Sequence, residues 1–155
     1  MIVRAATASD AAAMAGILNA IIAIGGTTAH ETAKSEAQVC KDYVDGPDTL
    51  VSAVVEVAGR IIGWQSVGMW QGDPHIGTFV QPDIQAKGAG QALFRQTCAS
   101  LRDRDVGYII AHIRADNVPG LAYYVRLGFR DIGDDPEFRL QDGRKVGRVH
   151  RRFDL

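Results

Sequence analysis

A predicted strand, a glycine-rich loop and a long helix follow one another between residues 75 and 104, and this arrangement constrains the fold most. The loop contains Gly88 and Gly90, which let a ligand approach the backbone closely, and Lys87 adds a positive charge. Free N–H groups and the helix dipole at such a helix start favour a phosphate. The loop lacks the Gly-Lys-Ser/Thr ending of a nucleotide P-loop and the three-glycine dinucleotide fingerprint. A tight structural turn therefore stays an equal alternative to phosphate binding.

Apolar periodicity around this loop predicts the element order β-α-α-β-β-β-α-β-α-β-β. Such an order is typical of a mixed α/β (α+β) layered domain with hairpins early and β-α-β crossovers late. The predicted strands span residues 2–5, 50–57, 61–69, 75–80, 108–113, 129–132 and 146–153, and the predicted helices span residues 11–24, 35–44, 88–104 and 118–127.

The length of 155 residues predicts a single domain over residues 1–155. A formal net charge of -1 argues against a nucleic-acid partner, because phosphate contacts need an excess of Lys and Arg. No apolar run approaches the ~20 residues of a membrane span, so we expect no membrane association. The two cysteines, Cys40 and Cys98, show no spacing for a metal site or a disulfide framework, which favours a reducing, cytoplasmic setting.

Two motifs carry a family resemblance. Residues 80–90 read Val-x-Pro-x-x-Gln-x-x-Gly-x-Gly, and this resembles the coenzyme A pyrophosphate loop of the GNAT acetyltransferase superfamily. Residues 117–129 resemble its second signature, an Asn followed by a helix with a Tyr and then Leu-Gly-Phe. Gln85 departs from the more usual Arg. The resemblance implies a central, mostly antiparallel twisted sheet flanked by helices, with a β-α-β core that binds acetyl-CoA.

The resemblance also implies the reaction, in which an acetyl group passes from acetyl-CoA directly to a primary amine of a small molecule. It assigns the backbone of one strand end and the loop to the cofactor, one Asn to the pantetheine arm and one Tyr to protonation of the leaving sulfur. The implied cofactor-binding residues are Phe79, Val80, Gln85, Ala86, Lys87, Gly88, Ala89, Gly90 and Asn117, and the implied general acid is Tyr124.

Elementary chemistry agrees with these roles. An amine of pKa ~10 must lose a proton before it attacks, and a thiolate of pKa around ~8.5 can be protonated by a tyrosine hydroxyl. Each residue also has a structural interpretation. Asn117 is a preferred helix cap, a role compatible with the pantetheine contact. Tyr124 taken without the motif is more typical of a core aromatic residue.

His75 is the candidate general base. Strand alternation places it on one face with Gly77 and Phe79, which is the substrate side if Phe79 lies near the thioester. Many relatives carry a carboxylate near this point, so the histidine is a departure, and a solvated strand end is the structural alternative.

The sequence gives fewer indications of the residues that bind the acceptor amine. Residues 27–31, Thr-Thr-Ala-His-Glu, resemble the phosphinothricin and methionine sulfoximine acetyltransferase subgroup, although His30 replaces an aromatic residue. This resemblance implies an amino-acid-like substrate contacted by Thr28 and Glu31, while Glu31 as a plain surface residue stays open. The basic residues 144–152 are interpreted as a solvated or dimer-facing strand, or as a contact to an anionic substrate. The resemblance implies a homodimer.

Two other functions stay open. One is an acetyltransferase that acts on a protein or peptide amine, and the other is a coenzyme A-binding regulatory module without catalysis. No metal is expected in either case.

Overall fold

A computed structural model describes residues 1–84 and 87–155. The predicted element order and the mixed, mostly antiparallel fold class are confirmed. The strands are β1 (Ile2–Ala5), β2 (Thr49–Val57), β3 (Arg60–Trp70), β4 (Asp73–Val80), β5 (Tyr108–Arg114), β6 (Arg130–Asp135) and β7 (Arg148–Asp154), and the helices are α1 (Ala11–Ile24), α2 (Glu36–Tyr43), α3 (Ala89–Arg102) and α4 (Val118–Leu127), with a short 3-10 turn at Ala8–Asp10 before α1.

The seven strands form one sheet in the order β1-β2-β3-β4-β5-β7-β6. Neighbouring strands are antiparallel except β4 and β5, which are parallel and are joined by the predicted β-α-β crossover through α3. Within residues 1–84 and 87–155, no helix combines the length and the apolar character that crossing a membrane requires.

Two apolar layers cover the sheet. On one face, Phe94 and Cys98 of α3 and Tyr124 of α4 pack against Ile109 and Ile113 of β5. Cys98 is thus a buried core residue. On the other face, a second layer joins α1 and α2 to strands β2, β3 and β4, with Met14, Leu18, Val39, Trp64 and Phe79 among its members.

The feature that positions the site is the junction of β4 and β5. In the described chain these two strands form a single register pair, His75 with Ile110, and then diverge. Beyond that pair, the facing edges of the two described strands carry backbone groups that are not paired with each other. Because α3 follows β4 and α4 follows β5, both helices begin at the open end of this gap, where ligands of α/β sheets commonly bind.

Candidate active site

A large cavity of about 1130 Å³ occupies this gap. Residues of both diverging strands line it, and so do residues from both faces of the sheet. Gly88, Gly90 and Tyr124 contribute from the side of α3 and α4, while Thr28 and His112 contribute from the opposite side. The cavity can therefore hold an elongated ligand on one face and a second reactant on the other.

The start of α3 has the geometry of an anion site. Gly88 precedes the helix with φ at +83°, a left-handed conformation that side chains strain. Gly90 is needed for a different reason, since a Cβ built there would lie 2.8 Å from the ring of Tyr123. The first N–H groups of the helix have no intrahelical partner and are free to bind a ligand.

The other predicted cofactor residues are placed as follows. Phe79 and Val80 line the cavity at the end of β4. The side chain of Ala89 is buried in the core with Leu93, so only its backbone can reach a ligand. Lys87 is exposed beside the helix start. The predicted contacts of Gln85 and Ala86 lie outside the described residues.

Tyr124 is held by a polar network that joins α4 to strands β3 and β4. Its hydroxyl lies 3.0 Å from the Thr78 hydroxyl, which also accepts a 2.8 Å hydrogen bond from the Gln65 side-chain amide. The same amide donates to the Tyr123 hydroxyl at 3.2 Å, and that hydroxyl donates to the Gly90 carbonyl at 2.8 Å. Burial raises the pKa of Tyr124 far above its ordinary value, so the hydroxyl stays protonated at neutral pH.

Sequence reasoning missed Thr78 and Gln65. Thr78 points to the face opposite His75, and Gln65 is its register partner on β3. The signal available in the sequence was a glutamine within a largely apolar strand, and in the structure its side chain has no exposed surface.

Asn117 caps α4, as predicted from its residue type. Its side-chain oxygen accepts a 3.0 Å hydrogen bond from the Gly120 N–H, and its amide donates at 3.0 Å to the Thr27 carbonyl. Asn117 also lines the cavity. The pantetheine contact stays a prediction.

The segment between α1 and α2 is fastened over the cavity from two sides. Arg114, also missed by sequence reasoning, donates to the Thr28 carbonyl at 2.9 Å, and its buried guanidinium makes a two-point ion pair with Asp116. The Glu31 carboxylate accepts a hydrogen bond from the backbone of Gln141 in the β6–β7 connection. Thr28 lines the cavity, whereas Glu31 braces the segment that covers it. Substrate contacts by either residue stay predictions.

Three histidines cluster beside the cavity. The rings of His75 and His112 meet edge to face at 4.6 Å, and His112 stacks on His150 at 4.0 Å. His112 lines the cavity, and His75 lies behind it against Trp70. His75 is on the predicted face, yet the described cavity wall is formed by His112.

Two of these rings are uncharged at neutral pH. Burial, followed by the neighbouring His150, His75 and Arg148, lowers the pKa of His112 to about 4. Burial also lowers the pKa of His75. In the part of the chain that the structure describes, Nδ1 of His112 has no hydrogen-bond partner, and no group of three His, Cys, Asp or Glu residues is arranged to hold a metal ion.

Comparison with known proteins identifies the class. Residues 22–129 match the model of the acetyltransferase (GNAT) family, so the chain belongs to that family. A mycothiol acetyltransferase of Rhodococcus opacus is 30% identical over 118 residues, which is 72% of this chain and 38% of that protein. A second, from Clavibacter sepedonicus, is 35% identical over 83 residues, covering 52% of this chain and 27% of that protein. The chain thus spans well under half the length of these relatives.

Solved structures show the same fold at low identity. A ribosomal-protein-alanine N-acetyltransferase from Brucella melitensis superposes with a TM-score of 0.83 at 21% identity, covering 100% of both chains. A phosphinothricin acetyltransferase from Sinorhizobium meliloti, solved in complex with acetyl-CoA, superposes with a TM-score of 0.83 at 20% identity, covering 99% of this chain and 88% of that chain.

Proposed function

We propose that this protein transfers an acetyl group from acetyl-CoA to a primary amine of a small molecule. The observation that carries the proposal is the cavity that joins the start of α3 to the opposite face of the sheet through the gap between β4 and β5. A thioester held on one face and an amine held on the other can meet in that gap.

The residues of the chain support each part of acetyl-CoA binding. The N–H groups at the start of α3 would bind the pyrophosphate, with Gly88 leaving room for it. The unpaired backbone edge of β4 near Phe79 and Val80 would bind the pantetheine arm as an added strand does, assisted by the Asn117 side chain.

The reaction then requires that the amine lose a proton and that the leaving sulfur gain one. The amine nitrogen attacks the thioester carbonyl, the carbon–sulfur bond breaks, and the Tyr124 hydroxyl gives its proton to the leaving sulfur. We propose that the amine loses its proton to His112, whose neutral ring faces the cavity. His75, the base predicted from the sequence, would then be a positioning residue that acts through its contact with His112.

The pH dependence of kcat/KM separates these two histidines. Neutral His112 is the active form, so activity is expected to fall only as the pH approaches its depressed pKa of about 4. The His112→Gln variant is expected to lose roughly 100-fold in kcat/KM together with this acid limb. The His75→Gln variant is expected to shift the limb to higher pH, because His75 is one of the groups that lower the pKa of His112. A His112→Gln variant with the wild-type profile would exclude His112, and an unaltered profile in His75→Gln would exclude His75.

A small acceptor is favoured over a protein substrate by the covered acceptor side. Arg114 and Glu31 tie the segment over residues 25–34 to the rest of the domain, and this segment narrows the access of a protein chain to the cavity. An amino-acid-like acceptor among small amines is favoured by residues 27–31, which resemble the phosphinothricin and methionine sulfoximine acetyltransferase subgroup.

Acceptor competition tests the proposal. The protein is incubated with acetyl-CoA, a pool of small primary amines and a pool of basic peptides, and the products are identified by mass spectrometry. We expect acetylated small amines in amounts equal to the released coenzyme A. Acetylation confined to the peptides would support the protein-modifying alternative, and acetyl-CoA binding without any product would support the regulatory module.

A further inference from the structure

We infer that Arg148 forms an anion subsite that binds a carboxylate of the acceptor amine. This inference rests on the proposed function, because it specifies which small amines the enzyme accepts. It depends on the position of Arg148, on its lack of a partner among the described residues and on the contrast with the neighbouring Arg114.

Arg148 lies at the start of β7 and lines the cavity. Its cross-strand partner in the β5–β7 register is Arg114, and the next pair on the same face is His112 with His150. Arg148 therefore lies beside the histidine that faces the reaction, on the face of the sheet opposite the helix start assigned to the pyrophosphate.

The guanidinium of Arg148 is packed against an aromatic ring, but no carboxylate of the described residues neutralises its charge. It stacks over the ring of Phe138 at 4.3 Å, an interaction that fixes its position. Its Nε atom is buried without a hydrogen-bond partner, and no ion pair to Arg148 is formed within residues 1–84 and 87–155. Leaving a buried donor of a charged group unsatisfied is costly, so the site favours a ligand that supplies an oxyanion.

The neighbouring Arg114, by contrast, has an ion-pair partner. Its side chain is 5% exposed, and its guanidinium binds the Asp116 carboxylate at 2.9 and 2.8 Å. Two cations directly opposite each other on a sheet repel, and only Arg114 forms an ion pair, with Asp116, among the described residues. A ligand carboxylate on Arg148 would complete the charge balance.

The other charged groups that the structure describes around this position are not bonded to Arg148. Asp135 stands opposite it in the β6–β7 register, but among the described residues no hydrogen bond or ion pair joins the two side chains, and the Asp135 carboxylate accepts a 3.2 Å hydrogen bond from the Glu137 N–H.

His75 and His150 are bases, and Arg148 itself acts to lower the pKa of His75. The Asp73 carboxylate lies near His75, but it accepts a 2.5 Å hydrogen bond from the Tyr108 hydroxyl. A carboxylate is matched to the planar guanidinium fork in both charge and shape.

A matched pair of acceptors tests the subsite. L-leucine and L-leucinamide share an amine and an apolar side chain suited to the cavity wall formed by Ile21 and Ile24, and they differ in the carboxylate. We expect the wild type to prefer L-leucine by at least about tenfold in kcat/KM. We expect Arg148→Met to lose that preference through a raised KM for L-leucine alone, and Arg148→Lys to restore part of it.

The control variant is Arg152→Met. Arg152 lies on the same strand and the same face and also stacks on an aromatic ring, at 4.1 Å from Tyr108, but it is paired with Asp154. This variant is expected to keep the wild-type preference. Thermal unfolding of all the variants checks that each one folds.

The inference would be overturned if the wild type did not distinguish the two amines. It would also be overturned if the Arg148→Met variant lost activity equally on both amines, or if it lost affinity for acetyl-CoA. Calorimetric binding of L-leucine to the wild type and to Arg148→Met gives a readout that does not depend on turnover. Binding by the wild type alone would support the subsite even if no product forms, a result that would count against the proposed function only. Equal binding, or no binding, by both proteins would exclude the subsite.

Discussion

A Tyr124→Phe variant is expected to turn over about 100-fold more slowly than the wild type while it binds acetyl-CoA with nearly the same affinity. The substitution removes the hydroxyl that lies 3.0 Å from Thr78 at the gap between β4 and β5 and keeps the ring that fills the core. The loss therefore falls on protonation of the leaving sulfur and not on packing. Release of the free thiol measures turnover, and calorimetry measures acetyl-CoA affinity.

The raised pKa of Tyr124 is compatible with this role. Burial disfavours the charged form of any acid, so the thiolate that leaves in the same groove also becomes a stronger base. The pKa of the Tyr124 hydroxyl and the pKa of the leaving thiol are therefore both raised, so proton transfer between them stays feasible. Thr78 keeps the hydroxyl oriented within the network.

Tyr123→Phe is the matched control for this prediction. It removes a hydroxyl from the neighbouring residue of the same helix, one that bonds to the Gly90 carbonyl and to Gln65. We expect turnover to fall by less than about tenfold in this variant. Unchanged turnover in Tyr124→Phe, or an equal fall in both variants, would remove Tyr124 from the acid role.

The second large effect concerns the start of α3. A Gly88→Glu variant is expected to weaken acetyl-CoA binding roughly 100-fold, because it adds a negative charge where the helix binds phosphate and strains a backbone at φ +83°. Calorimetric titration with acetyl-CoA measures the loss.

Gly143→Glu is the control for backbone strain. Gly143 has φ at +89° and is exposed, and a Cβ added there would meet no atom within 4 Å. It therefore matches Gly88 in conformation but lies away from α3, and this variant is expected to bind acetyl-CoA like the wild type. Equal weakening in both variants would assign the effect to strain alone, and wild-type binding by Gly88→Glu would show that the loop does not hold the cofactor.

The sequence was sufficient for the fold and for bringing the residues of the two motifs together at one cavity, while their contacts to acetyl-CoA stay predictions. Local periodicity predicts every helix and strand to within a few residues, and the two motifs are each contained in a continuous stretch. Gly88, Val80, Asn117 and Tyr124 all line the cavity as the resemblance implied.

The acceptor side could not be derived in the same way, because its contacts join distant parts of the chain. Glu31 reaches Gln141 across 110 residues of sequence. The position of His112 in front of His75 depends on how β5 pairs with β7 and how far it diverges from β4. Strand alternation gives the face of a residue, but it does not tell which of two histidines on that face reaches the ligand.

The most direct test of the account is the distance from the acetyl-CoA sulfur to the Tyr124 hydroxyl oxygen, measured in a crystal structure of the complex. We predict a distance within hydrogen-bonding reach, about 3.5 Å, with the pyrophosphate on the N–H groups at the start of α3 and the acetyl group facing His112. A sulfur far from Tyr124, or a pyrophosphate bound elsewhere than at α3, would contradict the account.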